Sequence, residues 1–546
     1  MALTLRDGSN GDEAILRAVT GIAPTLRRRV RVRVQLRAPG IAVLLALAAF
    51  GLYGVTMGNL VGYEDETAAV TEGLVKDGQL RVLPHTPLTD QGTPGRDGHL
   101  YSRTGLTQPI LEAPFYWVGE QLDEIGSGEA NYRWRDDLLR LYDPAMAALT
   151  VAAIFALLIL RGVSERRAIA VSALAAVASM VWPYSKIGME TTLMAMLALS
   201  FVAAAWAARR PSPLRFLLAG VACGLTANSK PYGGLLLIGV LPLLVQAFRA
   251  LPREQRVRSL VAFLAPMLVA VVAIGWYNWY RSGSVTNFVD AFVAAPVAAP
   301  ISAVGLFLSP GKGLLFYSPL VILGLRGWRT MSSGDRPLAL GVLLAVAMNT
   351  AVISISIVWS DETWGPRYLL PTAWLLLLPL AWWAHGRRRM RWTAGLTVLA
   401  VWVQFIGVLP SYGVIIPISR ALAGEPVYLY GYPGAHVAYG DDGPRWIPGA
   451  SPLLYQSALA LAYLKEKLTG SGFTISYRPY SGDSATIDLR HPQGLPDFWW
   501  TFPGMTTAQD VLAVLLGVLA VGGGIPLVRR LRRPTGAPFV APAGAA

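Results

Sequence analysis

The sequence predicts an all-α polytopic membrane protein of about twelve transmembrane helices, with a small mixed α/β segment on its outer face. Three observations predict it. Of the 546 residues, 53% are hydrophobic and only 15% charged, and mean hydropathy is +0.45, too apolar for a soluble enzyme of this length. Apolar runs of about 20 residues, the length that crosses a bilayer at roughly 1.5 Å per residue, recur along the chain. They cover residues 40–60, 141–160, 168–185, 189–208, 214–229, 232–249, 259–280, 303–325, 338–358, 369–385, 393–412 and 508–528. Third, the arginines fall in alternate connections: Arg27-Arg28-Arg29, Arg161 with Arg166 and Arg167, Arg209-Arg210, Arg253 with Arg256 and Arg258, Arg326 with Arg329, Arg387-Arg388-Arg389 and Arg529-Arg530. Positive residues mark cytoplasmic connections, so both termini are expected inside and residues 61–140 and 413–507 outside. The net charge of +14 is then a topology signal and not a nucleic-acid footprint.

The elements follow in order. Residues 1–39, polar and then Arg-rich, suit a cytoplasmic leader. The first apolar run has no small-residue cleavage site near its end and reads as an anchor helix. It opens a transmembrane module over 40–412 whose outer loop, 61–140, has room for one or two interfacial helices. Thr67 to Lys76 has helical spacing, and Pro109 to Leu122 is amphipathic, with Phe115, Tyr116 and Trp117 suited to the headgroup layer. Residues 413–507 form the second outer segment, rich in Gly, Pro and Tyr. It holds strand-like runs at 473–477 and 485–488, and an apolar run from Leu453 to Leu464 that is short for a span. A last helix over 508–528 leads into a cytoplasmic tail, 529–546. The single cysteine, Cys223, excludes an intramolecular disulfide and reads as a small residue at a helix contact. No repeat relates the two halves of the chain, which weighs against a duplicated transporter bundle.

Residues able to do chemistry gather on the outer connections. Glu64-Asp65-Glu66 follows the first run. Carboxylates this close raise one another's proton affinity, more so at a low-dielectric interface, which tunes a general base toward neutral pH. The plain alternative is a solvated loop end. On helical spacing, Asp65 and Glu72 share a face while Glu66 turns elsewhere. In the turn Tyr101-Ser102-Arg103-Thr104-Gly105-Leu106, Arg103 with nearby His99 is placed to hold a phosphate, or Arg103 snorkels to headgroups. Lys186, in Trp182-Pro183-Tyr184-Ser185-Lys186, and Lys230, in Asn228-Ser229-Lys230-Pro231-Tyr232, run against the positive-inside bias. A bound anion would explain both, although an ion pair to Glu190, four residues on, also accounts for Lys186. In the stretch 359–368, Arg367 offers a rigid fork for a phosphate, and Trp359 and Trp364 offer flat faces for a sugar or isoprenoid. An aromatic belt with Arg367 paired to Asp361 or Glu362 is the bland reading. Carboxylates, cations and aromatics on one side of a membrane fit a base facing an anionic leaving group.

Read together, these motifs, with Gly313-Leu314-Leu315-Phe316-Tyr317-Ser318-Pro319 and Trp364-Gly365-Pro366-Arg367-Tyr368-Leu369-Leu370-Pro371, resemble the GT-C superfamily of glycosyltransferases. The style is that of the bacterial branch related to protein O-mannosyltransferases and aminoarabinose transferases, and the likeness covers roughly residues 40–385. The resemblance implies a GT-C-like fold in the bacterial cytoplasmic membrane, with the active site on the extracytoplasmic face. It implies transfer of a sugar, mannose or arabinose on family grounds, from a polyprenyl-phosphate carrier to a glycan, glycolipid or protein acceptor, usually with inversion. The acid after the first helix is the family's usual base, which carries over to Asp65, Glu64 or Glu66, with Asp65 favoured. Arg103, Lys186, Lys230 and Arg367 are then the expected donor-phosphate ligands, and Tyr101, Glu190, Trp359, Trp364 and Tyr368 the expected sugar or lipid contacts. No cofactor is required, although Glu64 and Glu66 would suit magnesium or manganese. A transporter or flippase of a lipid-linked or anionic substrate is the rival from another class. It would place its charges at the bilayer midplane, whereas here they sit at the outer ends. A non-catalytic scaffold, the third reading, would survive loss of the outer carboxylates.

Overall fold

The computed structural model describes residues 38–58, 63–83, 92–125, 134–287, 299–356, 363–383, 387–411, 451–470, 474–477, 485–488, 496–501 and 507–532, with isolated positions at 359, 446 and 448. Helix α1 (Ala38–Val55) leads into α2 (Tyr63–Asp77), a two-residue pairing of β1 (Thr93–Pro94) with β2 (Leu100–Tyr101), α3 (Thr107–Ile125) and α4 (Trp134–Arg140). Then come α5 (Tyr142–Leu160), α6 (Glu165–Val177), α7 (Val181–Ile187), α8 (Thr191–Arg209), α9 (Pro213–Ala227), α10 (Gly233–Leu236), α11 (Leu241–Arg249) and α12 (Arg253–Ser282). The second half holds α13 (Ala299–Leu308), α14 (Leu314–Tyr317), α15 (Leu320–Gly334), α16 (Arg336–Ser354), α17 (Leu370–Ala373) and α18 (Arg387–Val408). It ends with α19 (Pro452–Thr469), the antiparallel pair β3 (Thr474–Tyr477) and β4 (Ala485–Asp488), and α20 (Thr507–Arg532). The helical spacings at 67–76 and 109–122 fall in α2 and α3, and the strand-like runs at 473–477 and 485–488 pair in register from Thr474 opposite Asp488 to Tyr477 opposite Ala485.

The chain is an all-helical polytopic membrane protein, and several of its apolar runs are broken into shorter helices. Among the described residues seven helices are long and apolar enough to cross a bilayer, or eight if α6 and α7, bent by 48° at residues 178–180, count as one. Proline and glycine account for the breaks, because a missing N–H or a vacant side chain lets the helix ladder break. The run at 232–249 divides into α10, a 3₁₀ turn at Leu237–Gly239 and α11, which has a proline in its first turn. The run at 303–325 breaks at Ser309-Pro310-Gly311, and the run at 369–385 is mostly a 3₁₀ helix, Trp374–Ala381, around Pro379.

Small residues set the helix contacts, as expected where lipid supplies no hydrophobic drive for association. A Cβ on Gly220 of α9 would come within 2.3 Å of the Phe263 carbonyl of α12, and one on Gly51 of α1 within 2.4 Å of the Ala520 amide of α20. Cys223 is buried in the same face of α9. Arginine-rich connections collect at one end of the bundle. There Arg161 grips Asp335 with two nitrogens, each at 2.6 Å, and Arg530 pairs with Glu165 at 2.8 Å. The helix α2 and the turn 101–107 stand at the opposite end.

Candidate active site

Glu66 lies in the first turns of α2, and its carboxylate is buried. A buried carboxylate needs partners, and the turn before α3 supplies them. The Arg103 amide donates to Glu66 Oε1, and Arg103 Nε donates to Oε2 at 3.1 Å. The turn is itself docked on the end of α9. The Thr107 amide donates to the Asn228 carbonyl at 3.3 Å and Thr107 Oγ1 to the Leu225 carbonyl at 2.9 Å. Gly105 permits this approach, since a Cβ there would stand 1.8 Å from the Asn228 carbonyl oxygen. Backbone cannot yield to that overlap. Gly105→Ala is therefore expected to push the turn off α9 and separate Arg103 from Lys230, cutting activity by at least about tenfold with a modest loss of stability. Initial rates and thermal melting of the variant in detergent check both.

Arg103, Asn228 and Lys230 line a cavity of about 30 Å³ with Tyr277, Asn278 and Arg281 from the end of α12. At that size the cavity has room for about one water-sized group, such as a single oxygen atom. Arg281 is buried and held by donating to the Ser102 carbonyl at 2.5 Å and to Asn278 Oδ1 at 2.8 Å. Its Nε has no hydrogen-bond partner among the described residues. Glu66 lies within electrostatic reach of both Arg281 and Tyr277. Glu66 thus faces Arg103 and Arg281 from the start of α2.

Next to this cavity the chain turns sharply into α8. Gly188 and Met189 both take positive φ, 75° and 60°, and Met189 is the one non-glycine residue among those described to do so. Such strain persists where surrounding contacts enforce it. Glu190 follows as the N-cap, where the helix dipole favours a negative charge. Tyr232 donates to its Oε2 at 2.7 Å, and Lys230 Nζ is 3.6 Å from its Oε1. Arg367 is buried against the Met189 sulfur and donates to the Tyr368 hydroxyl, with its guanidinium 4.3 Å from the Tyr368 ring centre. Tyr232 is in turn within electrostatic reach of Arg367 and Tyr368.

Of the residues singled out in the sequence, the fold brings together Glu66, Arg103, Lys230, Glu190, Arg367 and Tyr368. Tyr101 is buried beside them, donating to Asp97 Oδ2 at 2.8 Å and meeting Tyr280 edge-on. Others take different places. Lys186 does not pair with Glu190: its Nζ is 2.8 Å from Asp497 Oδ2 and donates to the Val408 and Pro410 carbonyls at 2.7 and 3.1 Å. Three contacts use the three protons of an ammonium, so Lys186 fastens residues 408–410 and 497 to α7. Trp364 packs edge-on against Tyr317 at 4.8 Å, and Trp359 lies over Gly305. The side chains of Glu64 and Asp65, and the whole of Asp361 and Glu362, lie outside the described residues, as does any Arg367 pairing to the latter two. Among the described residues no three His, Cys, Asp or Glu gather as a metal-ligand set.

Sequence reasoning missed Arg281, Lys312 and Glu112. Arg281 ends an apolar helix on the same side as Lys230, so the criterion that selected Lys230 would also have selected it. Lys312 sits in a Ser-Pro-Gly-Lys-Gly break and is buried, donating to the Thr363 and Gly365 carbonyls at 2.6 and 2.9 Å. It holds the loop that carries Arg367. Glu112, on the buried face of α3, accepts from Gln108 Nε2 at 2.7 Å and contacts Thr71 Oγ1 of α2 at 2.8 Å. The Thr71 hydroxyl, with one proton, is also 3.0 Å from the Thr67 carbonyl. Both contacts are satisfied when a protonated Glu112 donates to Thr71 and Thr71 donates to Thr67. Burial pushes the Glu112 carboxyl up to about 8, and the Asp143 carboxylate nearby pushes the same way against the Gln108 hydrogen bond.

No family model matches the sequence, and no curated protein matches it. Among solved structures, the chain is similar to ArnT from Cupriavidus metallidurans bound to undecaprenyl phosphate, at 13% identity over 90% of this chain and 76% of that one, with a TM-score of 0.44. It is also similar to the oligosaccharyltransferase of Archaeoglobus fulgidus in its apo form, at 12% identity over 76% of this chain and 64% of that one, with a TM-score of 0.38. At overlaps this partial, the functional reading rests on the chain's own residues.

Proposed function

We propose that this chain is a GT-C-type membrane glycosyltransferase that moves a hexosyl or pentosyl group from a polyprenyl-phosphate carrier to an acceptor hydroxyl, with inversion. The reaction belongs to the extracytoplasmic face of a bacterial cytoplasmic membrane, and the acceptor is a glycan, a glycolipid or a protein. The observation that carries the reading is that Arg103, Lys230 and Arg281 line one cavity while Arg103 also grips Glu66 at the start of α2, the helix that carries the acidic run.

In the proposed reaction the acceptor oxygen attacks the anomeric carbon. The bond from that carbon to the phosphate oxygen breaks, its electron pair stays on the phosphate, and the acceptor's proton passes to a carboxylate. Asp65, with Glu64 as the alternative, is the proposed base, because both Glu66 oxygens are engaged by Arg103. Glu66 is then the anchor that fixes the start of α2. Arg103, Lys230, Arg281 and Arg367 would stabilise charge growing on the departing phosphate, which in a water-poor site is the largest available contribution. Tyr232 and Tyr368 steady Glu190 and Arg367, and Lys186 and Lys312 hold the scaffold behind them.

Purified protein in liposomes, given a polyprenyl-phosphate-linked sugar and an acceptor glycan, should release polyprenyl phosphate in step with acceptor glycosylation. Arg367→Ala is expected to raise the apparent donor KM by about 30-fold or more and leave the acceptor KM nearly unchanged. Movement of the intact carrier across the bilayer without cleavage at the anomeric carbon would replace this reading with transport.

A further inference from the structure

The two halves of the candidate site ride on neighbouring helices, the acidic run at the start of α2 and the Arg103 turn just before α3. Two polar contacts join these helices. One is Glu66 to Arg103, and the other lies further along α2, where Glu112 of α3 meets Thr71. Ala68 and Tyr116 cluster there with Leu139 of α4. In the second contact the count of protons decides the chemistry. Thr71 has one hydroxyl proton and two oxygens within reach, the Thr67 carbonyl at 3.0 Å and Glu112 Oε2 at 2.8 Å, while Glu112 Oε1 accepts from Gln108 Nε2 at 2.7 Å. A protonated Glu112 satisfies all three contacts at once. An ionised Glu112 draws the Thr71 proton away from Thr67 and sets a second buried charge against the Asp143 carboxylate of α5, which accepts from Thr191 Oγ1. The other ionisable groups on the helices packed against α3 have partners of their own: Glu72 pairs with Lys76 at 2.6 Å, Asp137 with Arg140 at 3.3 Å and Asp136 with Arg135 at 3.8 Å.

We propose that Glu112 is a positioning residue for sugar transfer: as a neutral acid it clamps α2 to α3 and keeps the acidic run beside the Arg103 turn, and as a carboxylate it releases α2 and transfer stops. Its consequence for the rate rests on the glycosyltransferase reading, and the clamp itself does not. Thr71 stands six residues beyond Asp65 on one continuous helix, about 9 Å along its axis, so a tilt at Thr71 moves the acidic run with it. A misplacement of about 1 Å can cost on the order of 10²-fold in rate. Burial, with Asp143 acting the same way against the Gln108 hydrogen bond, pushes the Glu112 carboxyl up to about 8, so the release falls on the alkaline side of neutrality.

Two measurements on the full chain in detergent test it, the initial rate of polyprenyl phosphate release from pH 6 to 9.5 and hydrogen exchange of the α2 amides, corrected for the intrinsic effect of pH. The wild-type rate should fall about 30-fold between pH 7 and 9.5 as Glu112 gives up its proton, and α2 protection should fall with it. Glu112→Gln, which keeps both contacts and cannot ionise, should match the wild type at pH 6.5 and lose the alkaline fall in both readouts. Thr71→Val, which removes the partner, should lower kcat roughly tenfold at every pH with the donor KM within about twofold. An alkaline fall in Glu112→Gln equal to that of the wild type, or wild-type α2 protection that holds above pH 8, would each overturn the proposal. Absence of transfer by the wild type at pH 6.5 would overturn the glycosyltransferase reading instead, and α2 protection would still decide whether Glu112 is the clamp. Should Glu112→Gln not fold, the wild type decides by whether α2 loses protection above pH 8 while α12 keeps its own.

Discussion

Asp65→Asn is expected to lower sugar transfer by about 10²- to 10⁴-fold, the range lost with a general base, while leaving folding unchanged. The exchange keeps the side chain's shape and removes only its ability to accept a proton at neutral pH. Its neighbour Glu66 supplies the contrast. Because Arg103 holds both Glu66 oxygens, Glu66→Gln is expected to loosen the turn 101–107 and lower turnover without changing the pH profile, whereas loss of the base removes the basic group from that profile. The measurement is the initial rate of polyprenyl phosphate release from pH 5 to 9, with thermal melting to confirm the fold. Near-wild-type turnover in both Asp65→Asn and Glu64→Gln would remove the acidic run from the chemistry and return it to the role of a loop end.

Replacing Glu112 should give the second large effect, on stability and with a sign that depends on pH. Glu112→Ala leaves the Gln108 amide and the Thr71 hydroxyl facing an apolar gap, a loss on the order of 2–5 kcal/mol for a buried pair plus cavity. Glu112→Gln keeps both contacts, its amide donating to Thr71 and its oxygen accepting from Gln108, and should match the wild type at pH 5. The wild type then loses ground as pH rises. In the folded state the carboxyl holds its proton up to about 8, whereas an exposed carboxyl releases it in the usual range near 4.5. Folding therefore becomes less favourable as pH climbs from 4.5 toward 8, by several kcal/mol in total, and levels off above. The glutamine variant has no such slope, so it should melt well above the wild type at pH 8.5. Parallel melting curves for the two proteins from pH 5 to 8.5 would show that Glu112 is ionised in the fold and that Thr71 donates to it.

Several features of the fold and the candidate site were legible in the sequence, and the reasons differ by element. The apolar runs that became α1, α5, α8, α12, α16, α18 and α20 were visible because a bilayer demands unbroken apolar length. The helices α2 and α3 and the pair β3 and β4 were visible from period and composition. The breaks within the runs at 232–249 and 369–385 were not visible, because hydropathy adds up side chains and is blind to a proline's missing N–H. Arg103 and Arg367 were found as guanidinium groups suited to a phosphate, and Lys230 as a cation against the positive-inside bias. The same rule also selected Lys186, whose partner Asp497 lies more than 300 residues away in sequence and could not be anticipated from spacing.

The sequence by itself determined that the chain is an all-helical membrane protein, that its acidic run follows the first helix, and that isolated cations mark the connections sharing that side. These are local properties, set by composition and by the position of each residue along its own helix. Tertiary structure alone decided which cations meet. Gly105 lets the Arg103 turn close on α9, the left-handed step at Gly188 and Met189 aims Glu190 at Lys230, and the end of α12 brings in Arg281. It also decided that Glu66 is an anchor with both oxygens engaged and that Lys186 fastens the scaffold. The physical reason is that a buried charge is defined by its partners, and here those partners are contributed by chain segments far apart in sequence.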